Sequence, residues 1–260
     1  MTDRPITHRL PDFIIAGAPR CATTWLAEAL DRHASLAMAK PLRPEPKFFL
    51  VDDIYAKGLQ YYSTTWFDKL PAGRVLGEKS ANYLESATTA ARIYHALPFV
   101  RLIFLLRNPV DRAYSNYLWT RRNGFETESF ERALVLEAER EAKLPPKFRF
   151  ARPFSYVTRG LYAEHLARFL LLFPRDRITV IKTEDLAMQP AVVLCGLHRF
   201  LGVPERLDTI VSLAPVNSAV EPDSEPLPAS LRAALVERFR EPNHALGRLL
   251  GPAFTPWFDC

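Results

Sequence analysis

The stretch DFIIAGAPRCATTWLAEALDRH (12–33) constrains the chain most. A continuous apolar run ends in a turn of small residues, and Trp25, Leu26, Ala29 and Leu30 follow at helical spacing. An apolar run without polar alternation suits a strand covered on both faces, hence a parallel strand with helices over the sheet. The pattern recurs. VRLIFLLR (100–107) is the clearest buried strand, followed by NPVDRAYSNYLWTRRNG, where Pro109 opens a helix and Gly124 closes it. GRVLGEK (73–79) and DRITVI (176–181) read as strands, and SATTAARIYHALP (86–98) and LYAEHLARFLLLFP (161–174) as helices. This alternation predicts a single α/β domain over 1–260, with a central parallel β-sheet flanked by helices. Residues 125–155 have polar helical character and lead into FRFARPFSYV, an excursion expected to cover or shape a cleft. APVNSAVEPDSEPLP (214–228) reads as a Pro-rich acidic loop before a terminal helix.

Composition narrows the function. With 260 residues, 48% hydrophobic, there is ample material for a core. The net charge of +5 suits an anionic ligand, but also many proteins without one. Arginine supplies 26 of the 34 basic residues, a bias toward bidentate anion contacts or toward a particular base composition. Cys21, Cys195 and Cys260 have neither disulfide-framework nor zinc-ligand spacing. The first residues contain no signal-peptide core, and LIFLL and FLLLF are too short to span a bilayer. A soluble, cytoplasmic protein is expected.

Four segments carry chemistry. In GAPRCATTW (17–25), a strand leads through a tight turn into a helix N-terminus, where backbone N–H groups and the helix dipole can hold an anion. Arg20 adds charge and Thr23 and Thr24 add hydroxyls; an ordinary strand–helix turn is the other reading. A nucleoside triphosphate loop needs a lysine where Thr23 stands. Arg107 ends the best strand, on the edge where parallel sheets bind ligands, and Ser115 follows eight residues later. Both could equally be surface groups. RPEPKFF (43–49) holds Glu45 between two prolines, as a positioned carboxylate or as an exposed turn residue. GEKSANY (77–83) places Lys79 just past a strand, facing an anion or solvent.

Together these segments resemble the sulfotransferases that use 3′-phosphoadenosine 5′-phosphosulfate (PAPS), closest to the carbohydrate and glycosaminoglycan branch and to its soluble, bacterial-like members. The family's phosphosulfate loop, roughly PK-S-GTTW, stands here as Pro19-Arg20-Cys21-Ala22-Thr23-Thr24-Trp25. Its arginine–serine pair for the 3′-phosphate matches Arg107 and Ser115, its KEPHFF-like segment matches Pro44 to Phe49, and its GEK segment matches Gly77 to Tyr83.

The resemblance implies a P-loop-like phosphosulfate-binding loop and transfer of a sulfuryl group from PAPS, as co-substrate, to a hydroxyl or amine of a carbohydrate or glycoconjugate. That chemistry requires no metal; no nucleic-acid partner is expected, and the short apolar stretches predict no membrane span. Glu45 would be the general base, because none of the six histidines lies in a matching segment. Arg20 would stabilise the bridging oxygen, and Lys79 would sit near the transferred group. Residues Cys21, Ala22, Thr23, Thr24 and Trp25 would hold the 5′-phosphate, and Arg107 and Ser115 the 3′-phosphate. Arg20 replaces the family lysine, Ala22 replaces a glycine, and the loop at 214–228 has three acids and no base, leaving Asn217, Ser218 and backbone groups for the 3′-phosphate. A P-loop-type nucleotide-dependent kinase and a catalytically inactive nucleotide-binding relative are the alternatives.

Overall fold

The computed structural model describes residues 8–206 and 226–258. Among the described residues, five strands, β1 (Phe13–Gly17), β2 (Leu36–Met38), β3 (Val75–Lys79), β4 (Arg101–Leu106) and β5 (Ile178–Lys182), form one sheet in the order β2-β3-β1-β4-β5. Every pairing is parallel. All of β1 and all but the first residue of β4 are buried, which is why these two strands carry unbroken apolar runs. Strand β2 was not expected: three residues at a sheet edge show no period.

The chain builds β2 and β3 on one side of β1, then crosses to lay β4 and β5 on the other. The order reverses at β1, so the crevice at its carboxyl end is the natural ligand site of such a sheet. Ile15 is in register with Lys79, and Gly17 with Phe104, so β1, β3 and β4 end on this edge. Gly17 is required there. A Cβ on it would stand 2.6 Å from Leu84 Cβ, in the turn Ala81–Glu85 that follows β3.

Helices cover the sheet. α1 (Thr23–Asp31) follows β1, α2 (Asp52–Tyr55) and α3 (Gly58–Trp66) precede β3, and α4 (Thr89–Ala96) precedes β4. α5 (Pro109–Arg122) leaves β4 with Asn108 as its cap, whose side chain accepts from Val110 N at 2.9 Å. Its expected stop residue, Gly124, has φ 73° just beyond the end.

The excursion forms α6 (Phe130–Ala142) and an irregular return. Buried carboxylates tie it down: Glu126 accepts from Arg140 at 2.6 Å and Tyr156 at 2.7 Å, and Glu137 accepts from the N–H groups of Val157 and Thr158. α7 (Tyr162–Leu170), α8 (Thr183–Met188), α9 (Pro190–Leu201) and α10 (Ala229–Leu250) complete the layers. Asn217, Ser218 and most of the acidic loop lie outside the described residues. No helix among the described residues is long and apolar enough to cross a membrane.

Candidate functional site

The turn after β1 is shaped by two non-glycine residues in the left-handed region, Arg20 (φ 69°) and Ala22 (φ 59°). Neighbouring strands and helices fix it. Ala18 N donates to Leu105 O at 2.7 Å, and Thr183 Oγ1 donates to Cys21 O at 3.2 Å. Among the described residues, no backbone carbonyl accepts from the N–H groups of residues 20–24. Those groups crowd the start of α1, where the helix dipole favours negative charge.

Cations gather on this turn. Arg20 Nε donates to Ser115 Oγ at 3.2 Å, so one bond joins the two phosphate segments of the sequence. Burial lowers the Arg20 pKa, and Arg107, Arg112 and Arg159 push it the same way while Cys21 opposes. Arg107, just past β4, is half-buried, its carbonyl accepting from Tyr162 Oη at 2.9 Å. Arg112 is fully buried; it donates to Tyr156 O, while its Nε and Nη1 have no partner among the described residues. A bound anion would offset this concentration of desolvated positive charge. Burial pushes the Cys21 thiol up to about 11, so it stays neutral beside the arginines.

The other two segments meet at the end of β3. Lys79 Nζ pairs with Glu45 Oε1 at 2.7 Å and donates to Thr24 Oγ1 at 3.1 Å. Glu45 is therefore held on the phosphate-type turn through Lys79, with its side chain only 17% exposed. Neither is a solvated surface charge. Thr23 is buried at the start of α1, and Trp25 packs against the main core.

Sequence reasoning missed what holds Glu45 in place. Glu78, buried in β3, accepts from Ser80 Oγ at 2.6 Å and from Tyr62 Oη. Ser80 Oγ accepts in turn from Lys47 N at 2.9 Å, and Tyr83 Oη accepts from Phe49 N at 3.2 Å. The RPEPKFF segment is thus bonded to the GEKSANY segment at Lys47 and at Phe49. Burial pushes the Glu78 carboxyl up to about 7 despite the hydrogen bonds from Ser80, Tyr62 and Tyr83. Arg159 was missed too: it bonds Glu85 at 2.8 Å and Asn116 Oδ1 at 2.9 Å, tying the turn after β3 to α5. A charged residue inside an apolar strand, as in VLGEK, was the available signal for Glu78; nothing local marks Arg159.

A cavity of about 770 Å³ opens between α5, α6 and α10, lined by Tyr114, Tyr117, Phe130 and Leu231 among others, and none of the site residues lines it.

Known proteins resemble this chain in sequence and fold. A family model described as the sulfotransferase domain matches residues 10–219. The chain is 29% identical to a sulfotransferase from Alicyclobacillus acidocaldarius of known crystal structure, with TM-score 0.76, covering 93% of this chain and 96% of that one. It is 29% identical over 214 residues to the bifunctional heparan sulfate N-deacetylase/N-sulfotransferase of Drosophila melanogaster, covering 76% of this chain and 20% of that protein. It is 33% identical over 199 residues to heparan sulfate glucosamine 3-O-sulfotransferase 6 of Homo sapiens, covering 76% of this chain and 54% of that protein. The chain thus spans between a fifth and somewhat over half the length of these two curated relatives.

Proposed function

The chain belongs to the sulfotransferase domain family, and on that premise we propose that residues 1–260 form one domain that transfers a sulfuryl group from PAPS to a hydroxyl or amine of a carbohydrate-bearing acceptor. The observation that carries this reading is the Glu45–Lys79–Thr24 chain, which links a carboxylate to the turn after β1. The two heparan sulfate relatives support a carbohydrate acceptor. The unpaired Cys21 and Cys195 fit a reducing compartment such as the cytoplasm.

This geometry supports the following chemistry. The open N–H groups of residues 20–24, with Thr23 and Thr24, hold the 5′-phosphosulfate at the start of α1. Arg107 and Ser115 hold the 3′-phosphate. The acceptor oxygen or nitrogen forms a bond to sulfur as the bond from sulfur to the 5′-phosphate oxygen breaks. That electron pair leaves on adenosine 3′,5′-bisphosphate, and Glu45 takes the acceptor proton. Arg20 answers the charge that grows on the leaving oxygen, where fixed cations stabilise the transition state most. Lys79, released as Glu45 becomes neutral, faces the same charge. Arginine at position 20 keeps that charge but, unlike lysine, cannot donate its proton to the leaving group.

Replacing Glu45 with Gln tests this. Bisphosphate binding should stay within a few-fold of wild type, while turnover with an acceptor falls by about 10²–10⁴. Unchanged turnover would remove Glu45 from the chemistry.

A further inference from the structure

Close to Glu45 stands Lys47, a cation that no carboxylate among the described residues pairs with. Its backbone lies in the left-handed region at φ 50°, costly for a side-chain-bearing residue and common at functional sites. Its N–H donates to Ser80 Oγ at 2.9 Å, which ties this backbone to the residue just past β3. Burial lowers the pKa of its ammonium; Glu45 and Glu85 raise it, and Arg159 and Lys79 lower it further. Those carboxylates are already committed. Glu45 pairs with Lys79, Glu85 accepts from Arg159 at 2.8 Å and Arg152 at 3.4 Å, and Glu78 is bonded by Ser80 and Tyr62.

Among the described residues, the Lys47 ammonium has no carboxylate partner. It lies 4.6 Å over the ring of Phe150, which the excursion delivers to this point. An aromatic face orients an ammonium without cancelling its charge. The result is a positioned, half-buried cation two residues from the proposed base, with its charge available.

We propose that Lys47, braced on Phe150, is an acceptor-reading subsite that binds a carboxylate on the sugar presenting the reacting hydroxyl or amine. This rests on the proposed function of the same centre. A carboxylate is the anion an acceptor can carry before any sulfation. A lysine head, compact and strongly hydrated, takes it as a point charge without imposing a bidentate geometry.

The probe is a partly de-N-acetylated polymer of alternating glucuronate and N-acetylglucosamine, beside the same polymer with its carboxylates reduced to alcohols. Each is titrated calorimetrically into wild type, Lys47→Met and Phe150→Leu at saturating adenosine 3′,5′-bisphosphate. Wild type should bind the carboxylate form roughly tenfold or more tighter than the reduced form. Lys47→Met should bring the two within about twofold, and Phe150→Leu should narrow the gap while leaving bisphosphate affinity unchanged. A wild type indifferent to the carboxylate, including one that binds neither polymer, would overturn the subsite, as would a Lys47→Met variant that keeps the preference. Should Lys47→Met not fold, Phe150→Leu carries the test, and an unchanged preference in it overturns the proposal. Bisphosphate titrated alone separates the two ideas: its failure to bind would sink the sulfotransferase reading itself, whereas normal binding with no carboxylate preference would sink only Lys47.

Discussion

At position 22 an alanine occupies φ 59° and ψ 21°, a conformation that glycine adopts freely. The left-handed region costs a non-glycine residue about 1–2 kcal/mol. Glycine's extra freedom in the unfolded chain costs roughly 0.5–1 kcal/mol. Ala22→Gly should therefore leave the thermal midpoint unchanged or raise it, and a loss near the roughly 1 kcal/mol seen in helix interiors would show that the turn does not bear this strain. Arg20 is the second residue to probe. Its guanidinium both bonds Ser115 and crowds Arg107 and Arg112, so its charge is concentrated where a leaving oxygen would sit. Arg20→Ala should reduce turnover strongly. Arg20→Lys keeps the charge and should retain much of the rate. Normal rates in the alanine variant would make Arg20 a loop residue only.

Strand β3 is the element on which the site depends, because Glu78 fastens the Glu45 segment to it. Glu78 titrates near 7 in the folded chain against an ordinary 4.5. Below 4.5 both states are protonated and the stability this group contributes is fully present. Between 4.5 and 7 the unfolded chain releases the proton while the folded chain keeps it, so that contribution falls as pH rises. Glu78→Gln does not titrate. Urea unfolding of both proteins should show wild type losing stability relative to the variant across this window; a pH-independent difference would contradict the buried carboxyl. The elements themselves were unevenly legible. Strands β1 and β4 announce themselves because burial on both faces forces continuous apolar runs. Strand β2, at three residues, is shorter than any period, and α2 at four residues and α3, opened by Gly58, were not read as helices. The four chemical segments were visible as motifs. What they touch was not: the Lys79–Glu45 pair, the Ser80 bridge and the Phe150 ring beneath Lys47 are all long-range contacts. Arg112 was hidden for another reason, since a fully buried arginine runs against the ordinary placement of charge.

On the scale of the whole molecule, the sheet order places three strand ends, one helix N-terminus and a set of desolvated cations on one edge. Such an edge should be stabilised by a doubly phosphorylated nucleotide. At 100 times its dissociation constant, adenosine 3′,5′-bisphosphate should add about 2.7 kcal/mol to unfolding. The measurement that bears most directly on the sulfotransferase reading is a calorimetric comparison of that bisphosphate, adenosine 5′-monophosphate and ATP–magnesium on wild type and Arg107→Ala. Wild type should bind the bisphosphate most tightly. Arg107→Ala should lose roughly 1.5–3 kcal/mol toward the bisphosphate and almost nothing toward the monophosphate. Preference for ATP–magnesium, or equal weakening of both adenosine nucleotides, would contradict it.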